Sequence, residues 1–283
     1  MSELIALITG PTHGIGTHTA RALAAAGYHL VLACRDPVRG AQVRTELKGG
    51  AGGRDIEVMP LDLSKLESVR AFAQSFAARY GHLDLLVNNA GMVGYARQLS
   101  ADGHELTFAT NHLGPFLLTN LLLPQIRAGS EVRIVNVAST AHYSGHLDFD
   151  DLDHQRRAYK LMQVYSDSKL ANVLFTFALA RRLIGTGITC NCLHPGFVGS
   201  NIFPNGNILL RALGSVIKRF ALTEERGAQT SIYLALSRNV AELSGTYFDE
   251  FQKPKEASSE ARDVQVQEQL WVESCRRVGI PSG

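Results

Sequence analysis

Short apolar runs recur along this chain, each parted from the next by a stretch of helical period, and this alternation narrows the possible folds most. Residues 4–9 form the first run, followed by a glycine-containing turn and a helical stretch over 14–26. A second run at 29–33 precedes a charged helical stretch at 38–48. A third, at 56–60, precedes 66–80, where Leu66, Val69, Phe72, Ala73 and Phe76 share one helix face. Further runs lie at 83–87, 132–137, 188–193 and 245–248, and further helical patterns at 105–126, 158–184 and 224–237. Runs that are apolar on both strand faces belong to parallel strands covered on both sides. The predicted class is therefore α/β: a doubly wound Rossmann fold with a mainly parallel seven-stranded sheet and helices on both faces.

With 283 residues, 45% of them hydrophobic, the chain is long enough for one sizeable core, and a single domain over 1–283 is expected. A net charge of +2 argues against a nucleic-acid partner. Four cysteines, Cys34, Cys190, Cys192 and Cys275, are too few and too scattered for a secreted disulfide framework. Cys190 and Cys192 share one side of a strand, but no second Cys/His pair lies nearby at ligand spacing, so no metal is expected. The first run begins near residue 4 and no uncharged run reaches spanning length, so the expectation is a cytoplasmic protein without a membrane span.

Between the first run and the first helix lies Thr9-Gly10-Pro11-Thr12-His13-Gly14-Ile15-Gly16. Glycines here allow a tight turn and close backbone approach by a ligand. The helix N-terminus that follows offers unpaired N–H groups to a pyrophosphate. Gly10, Thr12, His13, Gly14, Ile15 and Gly16 are thus candidate dinucleotide contacts. The second run ends in Ala33-Cys34-Arg35-Asp36. An acidic residue at that tip suits a ribose 2′-hydroxyl and an arginine suits a 2′-phosphate. Arg35 comes first, which favours NADP(H), with NAD(H) left possible.

These motifs join others in a consistent order: Leu61-Asp62-Leu63, Asn88-Asn89-Ala90-Gly91, Asn111, Ser139, Tyr165-Ser166-Asp167-Ser168-Lys169 and Pro195-Gly196. Together they resemble the short-chain dehydrogenase/reductase superfamily over residues 4–248. Asn111-His112-Leu113-Gly114, Ser168 to Phe175, Leu193-His194-Pro195-Gly196 and Ser231 to Leu236 resemble more closely its retinol dehydrogenase/WW-domain-oxidoreductase-like branch.

The resemblance implies a catalytic tetrad of Asn111, Ser139, Tyr165 and Lys169. It also implies that Asp62 and Leu63 flank the adenine, and that Asn89, Ala90 and Gly91 line the cofactor floor. Pro195, Gly196, Val198 and Ser200 would hold the carboxamide side of the nicotinamide. Reducing a carbonyl needs a hydride and a proton, and a free tyrosine titrates near pH 10, about three units too high for ready exchange. Lys169 lies one helical turn beyond Tyr165, and its charge is expected to lower that pKa. By the same resemblance, Lys169 and Tyr165 also contact the cofactor, Ser139 binds the substrate oxygen, and Asn111 holds a water linking Lys169 to solvent.

Residues 197–223 carry Leu209, Leu213, Val216, Ile217 and Phe220 at helical spacing and read as a substrate lid. An apolar lid implies a hydrophobic alcohol or carbonyl substrate: retinol-like, steroid-like, or an aldehyde or ketone. His112, His142 and His194 are expected to pack or hydrogen-bond rather than bind metal. A C-terminal helix is expected at about 261–275, and the resemblance implies a homodimer or homotetramer through the long helices. A catalytically silent NADP(H)-sensing protein and an NAD-linked alcohol dehydrogenase remain alternatives. An extended-type epimerase or dehydratase would need a larger C-terminal part than the residues after Pro195 provide.

Overall fold

The computed structural model describes residues 3–49, 55–129, 132–198 and 222–282. Seven strands form one sheet: β1 (Ile5–Thr9), β2 (His29–Cys34), β3 (Ile56–Pro60), β4 (Leu85–Asn88), β5 (Arg133–Val137), β6 (Thr189–Leu193) and β7 (Tyr247–Phe248). Their order is β3-β2-β1-β4-β5-β6-β7, with every neighbouring pair parallel. The order reverses direction between β1 and β4, the switch point where doubly wound sheets open a crevice at the strands' carboxyl ends.

Strand periodicity divides the core between the two faces. Ile5 and Leu7 of β1 join Val31, Leu86 and Ile134 in one apolar cluster. Ala6 and Ile8 join Leu30, Leu32, Val87 and Val135 in the other. Helices α3 (Leu66–Arg79), α4 (Gly114–Arg127) and α5 (Leu161–Arg182) cover the first face. Helices α1 (Gly14–Ala25), α2 (Pro37–Lys48) and α6 (Glu224–Leu236) cover the second. Pro60 closes β3, an edge strand, where a missing N–H costs no central ladder bond.

Buried side chains also tie the first face to the sheet through hydrogen bonds. Asn88 Nδ2 donates to Thr119 Oγ1 at 3.0 Å and to Asn136 Oδ1 at 2.8 Å, and Asn136 Nδ2 donates to Thr176 Oγ1 at 2.9 Å. These bonds link β4 and β5 to α4 and α5.

The long helical pattern over 105–126 is not one regular helix. A single turn, Leu106–Phe108, leads into a π-helical segment, Ala109–Leu113, before α4 begins. Such a bulge widens the hydrogen-bond ring and frequently marks a functional position; Asn111 sits at its centre. The expected C-terminal helix is α7 (Val264–Val278), preceded by one turn at Ser259–Arg262. Asp263 caps its start, and Gly279 ends it in the left-handed region at φ +65°. Among the described residues no helix is long and apolar enough to cross a membrane.

Candidate active site

β1 enters α1 through a turn braced against the chain beyond β4. Gly10 and Gly14 have φ of +64° and +59°, values that favour glycine. A methyl group on Gly16 would stand 2.2 Å from the Gly10 oxygen, so glycine is required there too. Asn89 Nδ2 donates to the Thr9 and Gly10 oxygens, both at 3.0 Å, while Thr9 Oγ1 accepts from Asn89 N and Ala90 N. Helix α1 has no side-chain cap, so the first-turn amides of Gly14, Ile15 and Gly16 face outward without one. Thr12 Oγ1 lies 2.9 Å from His13 Nδ1. Burial holds His13 below the usual histidine pKa, and Arg39 adds to that depression. Arg39, unremarked in the sequence, is therefore near enough to His13 for its charge to be felt there.

Arg35 is exposed at the tip of β2. Asp36 is the N-cap of α2, its Oδ1 accepting from Val38 N at 3.0 Å and Arg39 N at 3.1 Å. Asp62 Oδ1 is likewise engaged locally, accepting from Ser64 N and Oγ at 3.1 and 2.6 Å. Leu63 is buried, and its oxygen lies where a Gly114 side chain would start, which seats the head of α4 against the end of β3.

Gly91 joins the turn to the expected tetrad. A methyl group there would stand 3.3 Å from Lys169 Nζ and 3.5 Å from Asn111 Oδ1. Asn111 Oδ1 accepts from Met92 N at 2.8 Å, and its Nδ2 donates to Met92 O at 2.9 Å and Ser168 Oγ at 3.0 Å. Both amide hydrogens and one lone pair of Oδ1 are thus taken by protein. Lys169 is buried, with Nζ donating to the Val137 oxygen and lying 5.7 Å from the Tyr165 ring centre. Burial lowers its pKa to about 8. Ser139 caps the 3₁₀ turn Thr140–Ser144, its Oγ accepting from Ala141 N at 3.1 Å.

The expected lowering of the Tyr165 pKa is not what the structure gives. Burial pushes the phenol up, and the opposing influence is a hydrogen bond from Ser139, not the Lys169 charge. Both groups sit in a low-dielectric pocket, where loss of hydration disfavours the charged form of each.

Gly196, at φ +77°, turns the chain after Pro195, and its N–H donates to His194 Nδ1 at 3.2 Å. Val198 bridges to Leu222 and presses against Gly227 of α6, where Ile15 of α1 also packs. Ser200 and most of the lid at 197–223 lie outside the described residues.

The three histidines occupy distinct places. His112 is buried among Phe108, Phe116 and Phe175, with Nε2 2.8 Å from Ser274 Oγ, and burial lowers its pKa to about 3. His142 and His194 flank Tyr247, with ring centres 4.7 and 5.7 Å from it. Among the described residues no group of three or more His, Cys, Asp or Glu side chains is placed to hold a metal ion.

Residues 4–207 match the short chain dehydrogenase family. Human retinol dehydrogenase 13 is 40% identical over 279 residues, covering 97% of this chain and 84% of its own. Mouse retinol dehydrogenase 14 is 44% identical over 287 residues, covering 97% and 85%. An uncharacterized protein from Mycobacterium Paratuberculosis superposes with a TM-score of 0.80 at 32% identity, over 100% of this chain and 96% of that one. The Pseudomonas aeruginosa RhlG/NADP active-site complex does so with a TM-score of 0.68 at 25% identity, over 94% and 97%. With its seven parallel strands, its glycine turn at the switch point and these near full-length relatives, the chain belongs to the short-chain dehydrogenase/reductase family of oxidoreductases, in the branch of the retinol dehydrogenases.

Proposed function

We propose that this chain moves a hydride between NADP(H) and a hydrophobic alcohol/carbonyl pair, with Tyr165 as acid/base beside Ser139, Lys169 and Asn111. The observation that carries the reading is the position of Gly91. Its neighbours Asn89 and Ala90 brace the phosphate turn, while its own Cα faces Lys169 Nζ and Asn111 Oδ1. The phosphate turn therefore adjoins Lys169 and Asn111 of the proposed tetrad at Gly91, which supports one shared site.

The residues present fit a dinucleotide. An uncapped helix start with glycine-only geometry suits the pyrophosphate, and the absent side chain at Gly91 leaves room beside Lys169. Such a cofactor, when bound, donates or accepts the hydride. Arg35 with Arg39 nearby favours a 2′-phosphate, while Asp36 already spends one carboxylate oxygen on capping α2.

Tyr165, held protonated by burial, gives its phenolic proton to the forming alkoxide in reduction and takes it back in oxidation. Ser139 Oγ accepts from Ala141 N, and its one hydrogen, which favours the Tyr165 oxygen while the site holds no substrate, would turn to the substrate oxygen. Lys169 has further N–H donors beyond the one on Val137 for the nicotinamide ribose. Asn111, at the centre of the π-helical segment, would hold the water that links Lys169 to solvent, with one Oδ1 lone pair still open to it.

A hydrophobic substrate is supported by exposed Tyr95, Met162 and Phe197, each close in sequence to a site residue. The lid role of 197–223 and the candidacy of retinol-like alcohols rest on the apolar spacing and on the relatives' names. The expected homodimer or homotetramer through the long helices has to accommodate α7, which already lies across α5.

The test is titration of NADPH and NADH into the wild type and Arg35→Ala, followed by turnover of retinaldehyde and other hydrophobic carbonyls. Tighter NADPH binding that weakens in Arg35→Ala, and turnover lost in Tyr165→Phe, are expected. A preference for NADH overturns the cofactor assignment. Undiminished turnover in Tyr165→Phe overturns the acid/base assignment, and binding of neither cofactor overturns the reading itself.

A further inference from the structure

We propose that His142 is a positioning residue for Ser139, fixing the serine's backbone and tying it to the segment after β7. The proposal rests on the reading of Ser139 as the group that binds the substrate oxygen. His142 is fully buried, and both of its ring nitrogens meet main chain. Nδ1 lies 2.7 Å from the Ser139 oxygen, and Nε2 lies 3.2 Å from Ser258 N. A carbonyl only accepts and an amide N–H only donates, so these contacts select one tautomer. Nδ1–H donates to Ser139, and the bare Nε2 accepts from Ser258.

The ring cannot leave this position without losing its packing. Tyr143 and Tyr247 lie 4.0 and 4.7 Å from its centre. Burial lowers the His142 pKa; the Ser139 bond opposes this, and His194 and Lys255 add to the lowering, so the neutral ring is the form present at neutrality. The Ser139 oxygen accepts twice from this residue, from the ring and from its backbone N–H at 3.2 Å. Those bonds hold the first turn of Thr140–Ser144, and with it the Ala141 amide that aims Ser139 Oγ. A residue that only filled space here would need no nitrogen at either position.

Two isosteric changes separate the two bonds. His142→Asn places an amide nitrogen where Nδ1 was, keeping the Ser139 bond and dropping the Ser258 bond. His142→Gln reaches the Nε2 position and does the reverse. With NADPH and a turned-over carbonyl, His142→Gln is expected to lose about tenfold or more in kcat and His142→Asn less than about threefold, with NADPH affinity unchanged in both. In a Ser139→Ala background, His142→Gln is expected to cost nothing further, because its effect passes through the serine. Equal losses in the Asn and Gln variants, or a Gln loss that persists without the Ser139 hydroxyl, overturn the proposal. Wild-type turnover in Ser139→Ala itself overturns the underlying reading instead. Should the variants fail to fold, nitrogen NMR of the wild-type ring, assigned by its contacts with Tyr143 and Tyr247, decides. Protonated Nδ1 at pH 7 supports the proposal, and protonated Nε2 overturns it.

Discussion

Lys169 Nζ donates to the main-chain oxygen of Val137 at 2.9 Å, so the last residue of β5 anchors an ammonium carried by α5. Burial costs this cation hydration, which lowers its pKa from 10.5 to about 8. Between those two values the unfolded chain binds more protons than the folded one, so folding stability attributable to Lys169 rises with pH there. Below about pH 8 both states are protonated, and the full cost of burying the charge is present. The cofactor-free wild type is therefore expected to gain Tm relative to Lys169→Met as the pH is raised from 8 to 10.5. A gap between the two that stays constant across that range removes the buried-cation account.

The phosphate turn gives a sharper steric prediction. A methyl group on Gly16 would meet the Gly10 oxygen at 2.2 Å and Asn89 Nδ2 at 2.5 Å, and backbone cannot swing aside. Gly16→Ala is expected to cost about 1–3 kcal/mol by overpacking and to weaken cofactor binding by displacing the turn. Gly81→Ala is the control: nothing lies within 4 Å of its added methyl group. Reduced backbone freedom in the unfolded chain should leave that variant unchanged or about 0.4–1 kcal/mol more stable. Denaturant midpoints measured side by side decide, and equal midpoints contradict the contact.

The strands, the helix layers and the turn were legible because each follows from local pattern, whereas the order of the strands in the sheet came only with the structure. Apolar runs give β1 to β7, and Gly10 and Gly14 mark the places where φ turns positive. The proposed tetrad has no local signature, and it is read only as a constellation, through the order of Asn111, Ser139, Tyr165 and Lys169 along the chain. What stayed hidden depends on contacts between distant segments. No helical periodicity distinguishes Ala109–Leu113 as π-helical, since the bulge answers to Met92 and Ser168 gripping Asn111. Likewise, the bond from Ser258 N to His142 spans 116 positions, and the segment after Ser139 gave no sign of it. The direction of the Tyr165 pKa was misjudged because spacing on a helix shows a nearby charge but not the desolvation that outweighs it.

Asp36 is a candidate ribose ligand by position and a helix cap by geometry, and the two roles predict different losses. Its Oδ1 accepts from Val38 N and Arg39 N, which satisfies amides at the start of α2. Asp36→Ala is expected to cost about 0.5–2 kcal/mol of stability as a lost cap while leaving the ratio of NADPH to NADH affinity nearly unchanged. A selective collapse of NADH affinity, with stability intact, would assign the carboxylate to the ribose instead.

Trp271, the chain's one tryptophan, reports on the docking of α7. Its ring centre lies 5.0 Å from Phe116 and 6.1 Å from Phe175, and the Arg182 guanidinium sits 4.0 Å from it on another side. Its indole N–H donates to the Ser282 oxygen at 3.1 Å, so even the polar edge is used. Truncation removes a large buried ring whose neighbours on α4 and α5 cannot collapse into the space. Trp271→Ala is expected to cost about 3–5 kcal/mol, with Val272→Ala, at an exposed position on the same helix, close to neutral. If α7 is part of the cooperative core, Trp271 fluorescence and far-ultraviolet circular dichroism should report one urea transition with the same midpoint. A fluorescence change at lower urea would instead show α7 leaving first, and Trp271→Ala, which removes the fluorophore, would then leave the midpoint of the main circular-dichroism transition unmoved.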